Sequence, residues 1–301
     1  MMRVATFAQS DQMISSALRV QAVMANEQVQ ESSGLQSEDF GGYGSGAGRV
    51  INLQVSVTRA QSYIDASQLA DNKVQVMYSA VGSVTDIITQ LRTQLSAATT
   101  GSSTATASVI NYAQQAMAQM QGLLDTQYDG EYVFSGARTD TAPADLSSFG
   151  TGTGSLTTSD TSYYKGDSEI ASVRVSDSQS ISYGITADNP AFEQVMRLLK
   201  FVGNSSNLSS SDVSQALDLA SDALDATSTV QAKLSTAASQ IETASTNQSD
   251  YQNFAKTLST DLTSVDVAAV TAQLSTYQAQ LTASYSAISK IQSMNLASYL
   301  R

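Results

Sequence analysis

Three aspartates, Asp218, Asp222 and Asp225, recur at steps of four and three residues, a spacing that on a helix puts their carboxylates on one side as a divalent cation would need. The chain has no histidine and no cysteine to assist them. Carboxylates that flank an apolar helical stripe are ordinarily a solvated face, and that is the reading adopted. Glu38 and Asp39 are adjacent carboxylates, but general acid–base work needs two environments that push their pKa values apart, and a glycine-rich loop supplies neither. The run GGYGSGAG at 41–48 lacks the Lys-Ser/Thr ending of a phosphate-cradling loop and follows no clear strand, so it reads as a flexible connection. Asn204, Asn207 and Asn247 open N-x-Ser triplets, which are frequent by chance. With no thiol and no imidazole in the chain, no catalytic, cofactor-binding or metal-binding residue is assigned, no cofactor is expected, and the function is read as non-enzymatic.

What remains is the set of elements, and these are long. The 301 residues are 42% apolar and carry a net charge of −12 with a pI near 4.3, which argues against nucleic acid or an anionic membrane as partner and for other proteins. The opening MMRVATFAQSDQMISS has no apolar core and no cleavage site of a secretory signal, and no later run approaches a membrane span. A first helix is predicted from about Asp11 to Glu31 with Met13, Ala17, Val20 and Met24 on one stripe, ending at Gly34. Residues 32–48 form a glycine-dense loop. From about 49 to 98 the positions Val74, Met77, Val81, Val84, Ile88, Leu91, Leu95 and Ala98 alternate steps of three and four, the seam of a coiled coil. A turn at 100–104 precedes a returning stripe of Val109, Tyr112, Ala116, Met120 and Leu123.

After Gly130 the pattern changes to short β-prone stretches, YVFSG at 132–136, IASVRV at 170–175 and SISYGI at 180–185, around a Ser/Thr/Gly tract at 147–162. Asn189 and Pro190 fit the cap and first position of a helix reaching about Val202. A second very long helix follows, marked by Val213, Leu217, Ala220, Leu224, Leu234, Ile241, Tyr251, Ala255, Leu258, Leu262 and Val265. The last carries Val267, Val270, Leu274, Tyr277, Leu281, Ile288 and Ile291. The fold class expected is mainly α: a long antiparallel helical coiled-coil rod with the terminal helices paired, plus a small β-rich inserted domain. Its segments are 1–48 (assembly helix and loop), 49–130 (first half of the rod), 131–188 (β-rich insert), 189–265 (second half of the rod) and 266–301 (assembly helix). The end stripes are read as lacking partners within the free chain and ordering on polymerisation.

The order of four segments resembles the bacterial flagellins: MRVATFAQSDQMISS, SSGLQSEDF, YVFSGARTDTAPADL leading to YYKGDSE, and LTSVDVAAVTAQLSTYQAQLTASYSAISKIQSMNLASYL. The third segment and the KIQSMNLASYL ending are similar to the hook-associated type found at the hook–filament junction. In TQLRTQLSA at 89–97 only Arg92 stands where major flagellins are arginine-rich, so the resemblance does not carry innate-receptor recognition over to this chain.

The resemblance implies a structural component of the flagellum that polymerises through its terminal helices, with a filament flagellin as the alternative and a soluble signalling coiled coil as a further one. It also implies that the chain is secreted without a cleaved signal by the flagellar type III route. The implied partners are copies of itself in a helical assembly, another hook-associated junction protein, filament flagellin and an export chaperone, with neither nucleic acid nor membrane. The assembly interface expected from it comprises Met13, Ala17, Val20, Met24, Leu274, Tyr277, Leu281, Ile288, Ile291, Leu296, Tyr299 and Leu300.

Overall fold

The structure, a computed structural model, describes residues 2–99, 102–150 and 152–293, with side chains from Asp11 to Ile291. It is mainly helical. α1 (Met2–Ser33) ends at Gly34, whose φ of +70° suits a residue without a side chain and whose N–H returns to the Gln30 carbonyl at 2.8 Å. A 3₁₀ segment (Phe40–Gly46) lies in the expected loop and leads into α2 (Ala47–Ala98). α3 (Ser103–Leu124), β1 (Gln127–Tyr128), β2 (Glu131–Tyr132), α4 (Leu146–Phe149), β3 (Ser172–Arg174), β4 (Ser180–Ser182), α5 (Pro190–Asn204), α6 (Ser210–Thr263) and α7 (Val267–Ser293) follow. Among the described residues no helix is long and apolar enough to cross a membrane.

The chain forms two compact units. Unit 1 joins residues 1–58 to 252–301, and unit 2 is 59–251. This division cuts α2 twelve residues after its start and α6 twelve residues before its end, whereas the five sequence segments follow element boundaries.

In unit 2, the apolar positions Val74 to Ala98 of α2 and Val109, Ala116 and Met120 of α3 are buried in one core, and the Tyr112 hydroxyl caps the contact by donating to the Ile87 carbonyl at 3.2 Å. α3 packs on α5, and Gln114 Nε2 reaches the Gly203 carbonyl at 2.7 Å. α5 starts as its sequence dictates: Asn189 Oδ1 accepts the Ala191 N–H at 3.1 Å and Pro190 takes the first helical position, where no N–H is needed.

The seam of α6 differs from the expected one. Leu217 and Leu224 are half-buried, Tyr251 and Leu258 are exposed, and the buried positions are Val213, Ala216, Leu219, Ala220, Ala223, Thr227, Val230, Leu234, Ala237, Ile241, Ala244, Gln252 and Ala255. Alanine holds nearly half of that seam because a small side chain lets two backbones approach closely, and Leu217 and Leu224 then close its flanks.

The β part is two separate antiparallel hairpins of two- and three-residue strands. The first turns on Asp129–Gly130, both at positive φ (53° and 78°), the conformation the Asp-Gly pair favours. YVFSG is not a strand beyond Tyr132: Phe134 leaves the hairpin to pack edge-on against Phe192 of α5, with ring centroids 5.4 Å apart.

Candidate assembly surface

In unit 1, α1 and α7 pack on each other. The link before α2 and the link before α7 meet first: Gln36 N–H donates to the Thr263 carbonyl at 2.7 Å and Val265 N–H to the Gly34 carbonyl at 3.0 Å, an antiparallel bridge. α7 leaves that bridge where α1 arrives, so the two helices run antiparallel. Thr271 Oγ1 donating to Glu31 Oε1 at 2.8 Å sets their register.

Among the described residues, the covered and half-covered positions include 13, 17, 20, 24, 27 and 31 on α1 and 270, 274, 277, 281, 284, 288 and 291 on α7, both in steps of three and four, with 30 and 287 half-covered beside them. Each helix therefore offers a heptad seam to the other. The expectation that the end stripes lack a partner within the chain is corrected here. The stripes are complementary in period, and in one chain each is the nearest surface that can cover the other.

The expected interface residues divide accordingly. Ala17, Leu274 and Leu281 are buried in this seam, Met13, Val20, Met24, Tyr277, Ile288 and Ile291 are half-buried beside it, and Leu296, Tyr299 and Leu300 lie outside the described residues. Among the described residues, what α1 leaves uncovered is a second set: Ile14, Leu18 (60% exposed), Val23 and Val29. On α7 Tyr285 is 52% exposed. In the antiparallel register Ile14 and Leu18 fall on the same flank of the pair as Tyr285, since each occupies a position next to the seam on that side. On α6, within the same unit, Phe254 is 65% exposed. Clustered apolar surface of this kind marks contact with another protein. The sequence reading places the stripe residues on an assembly interface; in the structure nine of them lie in or beside the α1–α7 seam, and Ile14 and Leu18, apolar but off that stripe, stay exposed.

Charge is segregated the same way. Unit 1 holds six Lys/Arg against seven Asp/Glu, a net charge of −1, and unit 2 nine against twenty, a net charge of −11. Repulsion between like copies therefore falls mainly on unit 2, and unit 1 is the part that copies can bring together at little electrostatic cost.

Unit 2 carries the other polar arrangement. The Ser/Thr/Gly tract is strapped onto α5: Lys200, itself buried, donates to Asp160 Oδ2 at 2.8 Å and to the Phe149 carbonyl, and its Nζ stands 4.1 Å over the Phe149 ring. Glu193 Oε1 accepts the Asp160 N–H at 2.8 Å, and Arg197 Nη1 donates to the Leu156 carbonyl at 2.6 Å. Arg197 Nε lies 3.0 Å from Glu193 Oε1, an ion pair whose N–H is not aimed at the oxygen. Burial pushes the Asp160 carboxyl up, but the Lys200 ammonium and the Ser162 hydroxyl and N–H outweigh it and hold the group below its usual range. Lys200 Nζ and Arg197 Nη1 are spent on loop carbonyls and a carboxylate, so this cluster acts as a clasp that holds the tract on α5.

Nothing else in unit 2 competes with it. Asp218, Asp222 and Asp225 are exposed, and among the described residues no three His, Cys, Asp or Glu side chains gather as a metal site. Two hydrogen bonds pin the β3–β4 turn to α2: Arg59 and Tyr63 both donate to the Asp177 carboxylate, at 3.1 and 2.8 Å, and their hydrogen bonds lower its pKa, Tyr63 first.

Two family models match the chain: the bacterial flagellin N-terminal helical region over residues 4–139 and the bacterial flagellin C-terminal helical region over 217–300. The chain belongs to the bacterial flagellin family. It is a structural component of the flagellum. The matched regions of this flagellin-family chain contain α1, α2, α3 and the first hairpin on one side and nearly all of α6 with α7 on the other. The unmatched stretch contains the strapped tract, the second hairpin and α5.

Among solved structures, this flagellin-family chain is similar to one described as a flagellar hook-associated protein from Vibrio parahaemolyticus, with 16% identity, a TM-score of 0.61, and 75% of this chain and 99% of that one covered. It is also similar to FlgL of Bacillus cereus, at 16% identity and a TM-score of 0.54, over 70% and 98% of the two chains. At that identity the likeness is one of fold. A search of curated proteins finds no match.

Proposed function

We propose that this flagellin-family chain is a hook-associated protein that polymerises through unit 1 at the junction between hook and filament. The observation that carries the polymerising part is the near-neutral unit 1 with Ile14, Leu18 and Tyr285 uncovered on one flank of the α1–α7 pair. The likeness to a hook-associated protein supports the junction over the filament. The work is mechanical: many seam contacts, each small, can shift together between two lattices of different stiffness, and no residue is assigned a catalytic role. Its partners are copies of itself, another hook-associated junction protein and filament flagellin, with a chaperone during export by the flagellar type III route to the cell exterior.

Deleting the gene tests this reading. Cells of the deletion strain should carry hooks without filaments while an intact filament protein of different sequence accumulates in the medium. If this chain instead makes up the bulk of sheared filaments, it is a filament flagellin and the junction assignment fails.

A further inference from the structure

Unit 2 has a strand edge left open beside a groove. In the β3–β4 hairpin the Val175 N–H donates to the Gln179 carbonyl at 3.0 Å and the Tyr183 N–H to the Ala171 carbonyl at 2.9 Å, with Val173 opposite Ile181 midway between them. Hydrogen-bonded pairs alternate along an antiparallel ladder, so Ser180 and Ser182 turn their N–H and carbonyl groups away from β3. No hydrogen bond found among the described residues uses those groups. An unpaired edge of this kind is where an extended segment of another chain can add itself.

Residues 182–185 form one wall of a groove of about 460 Å³ whose other wall is α6 from Thr229 to Gln240. That stretch is about 16 Å of helix, the length of roughly five residues of extended chain. Tyr183, Ile185, Leu234 and Ala237 give the groove an apolar lining, no acid lines it, and its one charged residue is Lys233, which is exposed. Every other Lys or Arg of unit 2 except Arg92 is bound to a carboxylate or a carbonyl, whereas Lys233 makes no such contact among the described residues.

An occupant that fits brings an acid for Lys233, a large apolar side chain and backbone that is not already in a helix. Outside the α-helices, the large exposed apolar side chains among the described residues are Leu35, Phe40 and Ile170. Leu35 is held in the bridge to Ser264, and Glu169, just before Ile170, is tied by its N–H to Asp167. Phe40, 46% exposed, follows Glu38 and Asp39, both exposed, and the Asp39 backbone is extended at φ −103° and ψ 143°. Among the described residues neither carboxylate is in a hydrogen bond or an ion pair, and the Glu38 N–H and carbonyl are unused as well. We propose that the groove beside β4 receives the Glu38–Asp39–Phe40 segment of a second copy of this chain, a carboxylate on Lys233 and the Phe40 ring on Leu234 and Ala237. A segment of one unit seated in a groove of the other is a heterologous contact, which propagates along an assembly where a self-matching patch would close at two copies. The inference rests on the assembly reading above.

The chain has no cysteine, so single cysteines at exposed positions can be read without background. Two full-length variants with different tags, Asp39→Cys and Thr236→Cys, are co-expressed in a strain lacking the native copy, and purified flagella are mildly oxidised. A disulfide forms only where the two Cα atoms come within about 7 Å, so the expected product is a linked pair of the two variants, absent when either is expressed alone and lost on reduction. Incorporated chains that do not link, that link only like to like, or whose Thr236→Cys links to a different flagellar protein overturn the proposal. Independently, Lys233→Glu should cut incorporation roughly tenfold or more with the melting curve of the purified monomer unmoved, and adding Glu38→Lys with Asp39→Lys to the same chain should restore it. Unchanged incorporation of Lys233→Glu, or a loss that tracks a lower melting temperature, also overturns it. If the unmodified chain is absent from purified flagella, the assembly reading has failed and this inference with it; if the single-cysteine chains incorporate but do not link, only the groove contact is wrong.

Discussion

Leu18→Ala separates surface for assembly from surface for folding. Leu18 keeps 60% of its surface exposed on α1, so removing its side chain beyond Cβ takes little from the monomer, and alanine preserves helix propensity. Truncation removes three carbons, worth about 2.4 kcal/mol if all were buried at ~0.8 kcal/mol each, and the uncovered share available to a neighbouring subunit is then about 1.4 kcal/mol. That is a tenfold weaker contact at each interface. The covered share, about 1 kcal/mol on the same count, is the most the monomer should lose, a shift of about 2 °C in a chain of this size. Purified chain is followed by light scattering for the critical concentration of assembly and by circular dichroism for thermal unfolding. The expected result is a roughly tenfold higher critical concentration with a melting midpoint lowered by no more than about 2 °C. An unchanged critical concentration would refute the argument that this flank is an interface, and a melting temperature several degrees lower would show that Leu18 is packed within the chain.

The complementary change is in unit 2, where Leu91 is fully buried: Leu91→Asp places an unpaired carboxylate in that core and should cost several kcal/mol, read as a lower urea midpoint, with an unchanged midpoint contradicting the seam. Asn189→Ala removes the cap of α5 and should cost about 1 kcal/mol, visible in the same titration. Acid should loosen the insert selectively. Ser147 and Ser148 hold Asp145 at about 2 against an ordinary 3.8. The N–H groups of Ala137 and Glu169 lower Asp167, and Tyr63 and Arg59 lower Asp177. Because these folded-state values are depressed, the stability they add is present above about pH 4 and disappears as pH falls toward 2, and proteolysis at 140–180 should rise over that window. Uniform proteolysis along the chain would count against the assignment.

The helices were legible because their signals are local and repeated. Val74 to Ala98 show the period of a seam over four heptads, and Gly34, Asn189 and Pro190 mark ends by backbone chemistry that needs no tertiary context. The seam of α6 was not legible in the same way. Ala216, Ala223, Thr227 and Ala237 are weak hydrophobic signals, so the eye falls on Leu217 and Leu224, which lie beside the contact. Only packing reveals that the close approach is made by alanines. The clasp on the Ser/Thr/Gly tract was invisible for a related reason: Asp160, Glu193, Arg197 and Lys200 are separated by up to 40 residues, and no periodicity links a loop carbonyl to a lysine. The uncovered flank at Ile14 and Leu18 was hidden by success, because once Met13, Ala17, Val20 and Met24 are assigned to a stripe, apolar residues off it look incidental.

That flank and that stripe follow from a single physical constraint. A flagellin-family chain that exists first as a free copy and then in an assembly has to keep its end helices from exposing all their apolar surface at once. Pairing α1 with α7 buries one heptad face of each within the chain and leaves a narrower set of large side chains for the neighbour. Each residual contact is then small, of order 1 kcal/mol, so a lone copy associates weakly while a subunit held on several sides by an existing lattice is retained. The charge pattern acts in the same direction. Twenty acids against nine bases on unit 2 oppose random collisions of free copies, and unit 1, at −1, sets no such barrier once a lattice has oriented it. Raising salt should therefore favour assembly of this chain by screening unit 2, read as a lower critical concentration.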